Sequence, residues 1–175
     1  MVVRWRPYQL NPGAPEAGES KREMYHRKFG AQRVAAMVPM MTQRFAEVGV
    51  AYSLGGLTGQ TMDSHRLSAH ALKVGGEAVQ NALMEELFLN YFSQEKYIGD
   101  SAVLAAAAEK VGLEGAAAVI ADKGVMRAEV EGELRSFARG VRGVPHFVID
   151  GQHHLSGAQP TEAFVEIFEE LSSGN

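Results

Sequence analysis

The chain has 175 residues, of which 46% are apolar, and a net charge of −4 from 17 basic and 21 acidic side chains. That length suits one domain able to bury a core without staples, and with no basic surplus to neutralise phosphates the balance argues against a nucleic acid as partner. Cysteine is absent, which excludes disulfides, thiolate nucleophiles and cysteine-based metal sites.

The N-terminal Met-Val-Val-Arg-Trp-Arg is too poor in apolar residues for a secretory leader. No run of about 18 apolar residues is present, so no membrane span is expected, and the chain reads as cytoplasmic by default. Val2–Leu10 alternates around Val3 and Trp5 and predicts a strand ending near Pro7. Asn11-Pro12-Gly13-Ala14-Pro15 is a turn-rich loop. Ser20-Lys21-Arg22-Glu23 has capping-box spacing and starts a short helix to about Phe29, stopped by Gly30. A second helix follows over 31–48, with Val34, Met37, Met41, Phe45 and Val48 on one face, a kink expected at Pro39 and Gly49 as its end. Val50–Leu54 is a strand or an extended connection, and Gly55–Gly59 a flexible loop without the lysine and spacing of a phosphate loop.

From Thr61 to Gly140 the pattern is helical. Asp63 or Ser64 caps a helix to Val74, which Gly75-Gly76 stops. Residues 77–92 carry two adjoining apolar rows, Val79, Leu83, Leu87, Tyr91 and Met84, Phe88, Phe92, which implies burial on more than one side. Asp100 and Ser101 cap a helix to Val111, an alanine-rich helix spans 116–121, and a last one spans 125–138 with Val130, Leu134 and Phe137 inward. The methionines Met37, Met40, Met41 and Met84 read as core filling or an apolar groove wall.

Phe147-Val148-Ile149 is a short strand, Asp150-Gly151 a type I′ turn, and His153-His154-Leu155 the return strand. Pro145 stands just ahead of that first strand, where a residue without an N–H is tolerated. A cis bond at Val144–Pro145 would turn the preceding backbone outward and leave the N–H and C=O of Val144 free to pair with an extended peptide. Pro160-Thr161-Glu162 opens a terminal helix with Phe164, Ile167, Phe168 and Leu171 on its apolar face, and 172–175 is expected to fray.

Val144, Pro145 and His146 form the first candidate site, for an extended peptide or protein substrate. His65, at a helix start, and Asn11, after the first strand, are candidates beside it, each with an ordinary alternative as a polar first-turn or loop residue. His153 and His154 point to opposite faces of a regular strand and cannot share one ion, and His65 and His70, five apart, do not share a helix face cleanly. No metal site and no cofactor are expected. Ser156 reads as a loop serine bonding backbone, since no Gly-x-Ser-x-Gly elbow surrounds it.

Gly143-Val144-Pro145-x-Phe147, Asp150-Gly151 and Ser156-Gly157-Ala158-Gln159-Pro160 together resemble the C-terminal signature of DsbA-family thioredoxin-like proteins, in their FrnE-like branch. Arg4-Trp5-x-Pro7-Tyr8-x-Leu10-Asn11-Pro12, Asp63–Leu67, Leu87-Phe88-x-x-Tyr91-Phe92 and Ile98-Gly99-Asp100 extend the resemblance over nearly the whole chain. It implies an α/β thioredoxin-like fold with a large all-helical insertion: 1–56 and 141–175 as the thioredoxin-like parts, 57–140 as the insertion. It also implies a cis-proline and thiol–disulfide oxidoreductase activity.

The family's N-terminal strand and the Cys-x-x-Cys at the start of its redox helix have no counterpart here. A fragment of a longer product, a degenerate homologue completed by a partner or by homo-oligomerisation, or a start at the wrong methionine would each account for this. Met1 falling directly on a family strand favours the first and third. No catalytic residue is therefore assigned, and the chain is expected to be redox-inactive alone. Two other readings stand beside this one. The first is a non-catalytic peptide-binding module. The second is an enzyme resembling the chromene-carboxylate isomerases and kappa-class glutathione transferases, which share this fold and insertion and use serine instead of cysteine.

Overall fold

Helix α3 (Met62–Phe92) is the column on which the core is built in the computed structural model, which describes residues 1–174, and it contributes Leu67, Ala71, Leu83 and Leu87. Its two halves, expected as separate helices, meet without a loop at Gly76, whose φ of 67° and ψ of −168° only glycine adopts readily. The helix begins earlier than its expected caps. Asp63 is engaged with Arg66, and the Ser64 hydroxyl donates back to the Thr61 carbonyl at 2.8 Å, so neither side chain is free to cap. Three shorter helices pack on this column: α4 (Ser101–Lys110), α5 (Ala116–Ala121) and α6 (Arg127–Phe137). Asp100 caps α4 by accepting from the N–H groups of Ala102 and Val103 at 2.8 and 3.0 Å. Leu67, Leu83, Leu87, Leu104, Val119 and Met126 interlock across these helices, and the small side chains of Ala107, Ala108 and Ala116 let them approach closely.

The expected inward faces hold only in part. Val130 is fully buried, but Phe137 is half-exposed because its ring lies under the Arg6 guanidinium at 4.3 Å. Phe88 is similarly open on one side, with the Trp5 and Phe92 rings against it at 5.3 and 6.2 Å.

Two two-stranded antiparallel ribbons complete the structure. In the first, β1 (Glu19–Ser20) pairs with β2 (Leu57–Thr58), placing a ladder inside the glycine-rich stretch read as a loop. Gly56 permits it, since a Cβ there would sit 2.2 Å from the Glu95 carbonyl oxygen. Helix α1 (Lys21–Phe29) follows, with the Ser20 hydroxyl accepting from the Glu23 N–H at 3.3 Å, and α2 (Ala31–Glu47) runs as one helix with Pro39 inside it. Val34 is buried on α2, whereas Val48 lies past the last turn and is exposed. Val50–Leu54 is an extended connection.

The second ribbon pairs β3 (His146–Ile149) with β4 (His153–Ser156), and α7 (Thr161–Ser173) follows. The end of α7 is ordered as helix: Ser172 and Ser173 donate to the carbonyls of Phe168 and Glu169 at 2.7 and 2.8 Å. Asn175 lies outside the described residues. After Val130 no described residue is buried.

Val2–Leu10 forms no strand. A strand needs a neighbour to receive its ladder, and here side chains of α3 replace one. The Trp5 N–H donates to Gln80 Oε1 at 3.0 Å, and Gln80 Nε2 donates to the Trp5 carbonyl at 3.0 Å. Asn81 adds a bond from Nδ2 to the Val3 carbonyl at 3.3 Å.

Candidate functional site

The hairpin presents Val144, Pro145 and His146 at its open end. The Val144–Pro145 peptide bond is cis, and the Gly157 N–H donates to the Pro145 carbonyl at 2.8 Å, closing the ladder immediately beyond β3 and β4. Val144 is 47% exposed. Its own N–H and C=O take part in no hydrogen bond among the described residues.

The turn sets which side chains share a face. Asp150 and Gly151 both have positive φ, 52° and 71°, and the Gln152 N–H returns to the Ile149 carbonyl at 3.2 Å. Ile149 pairs with His153, however, so Gln152 is an extra residue in the connection. A two-residue loop would pair Ile149 with Gln152, and a shift of one residue exchanges the faces of a whole strand. The observed register puts Phe147, Ile149, His153 and Leu155 on one face, where Phe147 meets Phe164 of α7 with ring centroids 5.0 Å apart. His146, Val148, His154 and Ser156 share the other, open face. There the Ser156 hydroxyl lies 2.9 Å from His146 Nδ1, and His154 Nδ1 lies 3.4 Å from His146 Nε2. Neither Ser156 nor His154 stood among the candidate binding residues, and only the extra residue in the turn brings them to His146.

The other two candidates sit elsewhere. Asn11 is exposed and serves a turn, its carbonyl accepting from the Ala14 N–H at 3.1 Å. His65 is half-buried beside a small cavity of about 40 Å³ bordered by Trp5, Pro7, Met84 and Glu133, with its Nε2 3.2 Å from the Thr61 hydroxyl. Tyr8 lies beside it, and the Tyr8 hydroxyl donates to the Val141 carbonyl, ahead of the hairpin, at 3.4 Å. A larger groove of about 550 Å³, between Glu16, Tyr97, Asp100 and Lys123, includes none of the candidate residues. Among the described residues no group of three or more histidine, aspartate or glutamate side chains is placed to hold a metal ion, and no helix is long and apolar enough to cross a membrane.

Burial holds His65 down to a pKa of about 4, with the Tyr8 backbone bond opposing it. A lowered folded-state pKa means that the unfolded chain binds the proton first. The stabilising effect of neutral His65 is therefore complete above pH ~6.5 and is lost as pH falls towards about 4. The loss expected at pH ~4 is about 3 kcal/mol. Urea denaturation of the wild type and of His65→Gln at neutral pH and near pH 4 checks it: the variant should lose less stability on acidification by about that amount, and parallel losses would refute the assignment.

A family model described as a DSBA-like thioredoxin domain matches residues 1–169. The crystal structure of a probable DsbA oxidoreductase from Streptomyces coelicolor superposes with a TM-score of 0.86 at 28% sequence identity, covering 97% of this chain and 75% of that one. No curated protein matches.

Proposed function

The chain belongs to the DSBA-like thioredoxin domain family, and we propose that within it these 175 residues hold an extended peptide and perform no thiol–disulfide exchange of their own. Exchange begins with attack by a thiolate on a disulfide sulfur, and this sequence has none to offer. What it does offer is a backbone docking point. The observation that carries the reading is the exposed Val144, whose N–H and C=O are unpaired at the end of a ribbon. An extended peptide laid alongside gains main-chain hydrogen bonds there, as in strand addition to a sheet edge, while Val144 and Val148, both about half-exposed, supply apolar contact. The run Ser156-Gly157-Ala158-Gln159-Pro160 supports placing the chain in the FrnE-like branch.

Two measurements on the same preparation test this. Insulin reduction by dithiothreitol should proceed at the rate of a protein-free blank. A fluorescently labelled, unfolded peptide should bind saturably by anisotropy. Val144→Pro removes the N–H and should weaken that binding roughly five- to tenfold, the worth of about one hydrogen bond. Catalysis of insulin reduction, or peptide binding indifferent to Val144→Pro, would overturn the reading. Saturable glutathione binding at millimolar or lower concentration would instead favour an isomerase- or transferase-like enzyme.

A further inference from the structure

We propose that His146 and His154 chelate one zinc ion on the open face of the hairpin. The two imidazoles come from opposite strands and lie diagonally, His146 facing Ser156 and His154 facing Val148. Their ring centroids are 5.6 Å apart, and His146 Nε2 stands 3.4 Å from His154 Nδ1. Zinc binds imidazole nitrogen at about 2.0–2.1 Å in tetrahedral geometry, so two nitrogens of one zinc site are separated by about 3.3–3.4 Å. The pair is already at that spacing, and a zinc ion would replace the weak nitrogen–nitrogen contact between the rings.

Ser156 prepares the site. Its hydroxyl lies 2.9 Å from His146 Nδ1 and is itself positioned by the loop, where Gln159 Nε2 donates to the Ser156 carbonyl at 2.7 Å. With Nδ1–H donating to the hydroxyl oxygen, His146 keeps its Nε2 lone pair outward. Ligating histidines are commonly oriented by an outer partner of this kind. His154 enters as the neutral ring with its proton on Nε2 and its Nδ1 lone pair turned to the ion, so no net proton is released. His154 and Ser156 are exposed, which leaves the other two zinc positions to water. The neighbouring His153 lies on the opposite face with Phe147 and takes no part.

Zinc chloride titrated calorimetrically into the full, untagged chain tests the site. One ion per chain at micromolar concentration is expected. His146→Gln and His154→Gln should each weaken binding at least tenfold, Ser156→Ala should weaken it by about tenfold or more through loss of the outer partner, and His153→Gln should leave it unchanged. All four side chains belong to a ribbon with no buried residue, and far-UV circular dichroism confirms that each variant is folded. No saturable binding, or an equal loss on His153→Gln, would overturn the proposal.

Discussion

Replacing Arg66 by methionine is expected to lower the stability of the helical block by about 3–5 kcal/mol, the range for removing one partner from a buried charged network. The side chain is 1% exposed at the start of α3. Its Nη1 donates to the carbonyls of Val119, Asp122 and Val125 at 2.7, 2.9 and 2.7 Å, and Nε and Nη2 reach Asp63 Oδ1 at 3.2 and 3.0 Å. Those carbonyls lie at the end of the six-residue α5 and in the turn into α6, where helical bonds run out. One guanidinium thus satisfies the acceptors of a whole helix-to-helix junction and ties them to α3. Methionine fills much of the volume but leaves the Val119 and Val125 carbonyls without their donor, while the exposed Asp122 keeps the Val125 N–H at 3.1 Å, and each lost bond costs about 1–3 kcal/mol. Lysine should rescue little, because an ammonium cannot reproduce the planar fork that spans both the carbonyls and Asp63. The urea midpoint, followed by circular dichroism at 222 nm, measures the effect. Against a total stability of about 5–15 kcal/mol, the shift should be unmistakable. A change below about 1 kcal/mol would mean that water reaches the junction and that the network is ornamental.

How far the sequence discloses this structure depends on how local each signal is. The helix at 21–29 and those from 62 to 137 were legible because the caps at Ser20 and Asp100 and a 3.6-residue apolar period act within one turn. The Asp150-Gly151 turn was legible for the same reason. Whether Gln152 belongs to the turn or to the return strand was not, because that depends on how the ribbon closes through Gly157 and Pro145. The grouping of His146, His154 and Ser156 rests entirely on that one residue. The face of α6 misled because Phe137 is taken by Arg6, a contact across 131 positions that no periodicity encodes. The family was legible from short motifs around the hairpin, whereas the positions of Asn11 and His65 depend on the course of the N-terminal segment, which is set from outside it.

That dependence leads to a sharp expectation for Gln80→Ala: the backbone around Trp5, residues 3–6, should detach while α3 to α6 stay folded. Gln80 is 1% exposed, and its amide both accepts from and donates to the backbone of Trp5 at 3.0 Å, with a further contact from Nε2 to the Ser68 carbonyl at 3.3 Å. This is the two-point pairing that a neighbouring strand would give, supplied by one side chain. Alanine removes both bonds at once and leaves the Trp5 N–H and C=O to be solvated, which favours release of the segment by about 2–3 kcal/mol. Other attachments of the segment remain: Trp5 Nε1 to Asn81 Oδ1 at 2.6 Å, the indole against the edge of Phe88, Asn81 Nδ2 to the Val3 carbonyl at 3.3 Å, the Arg4–Glu77 and Arg6–Glu133 ion pairs, and the bonds of Tyr8 to Val141 and Gln9 to Gln60. Those around Trp5 are exposed and contribute little each, whereas the buried Pro7 and the bonds of Tyr8 and Gln9 anchor the segment beyond it, so the release is local to residues 3–6. Gln80→Glu should fare no better: its carboxylate still accepts from the Trp5 N–H but faces the Trp5 and Ser68 carbonyls with no donor, as a buried charge. Trp5 is the sole tryptophan, so its emission reports the change directly, with a red shift and greater quenching by iodide. Amide exchange should accelerate over residues 3–6 and remain slow along α3. If Trp5 emission and exchange match the wild type, the amide pairing does not hold the segment, and the remaining contacts of residues 3–9 must do so instead.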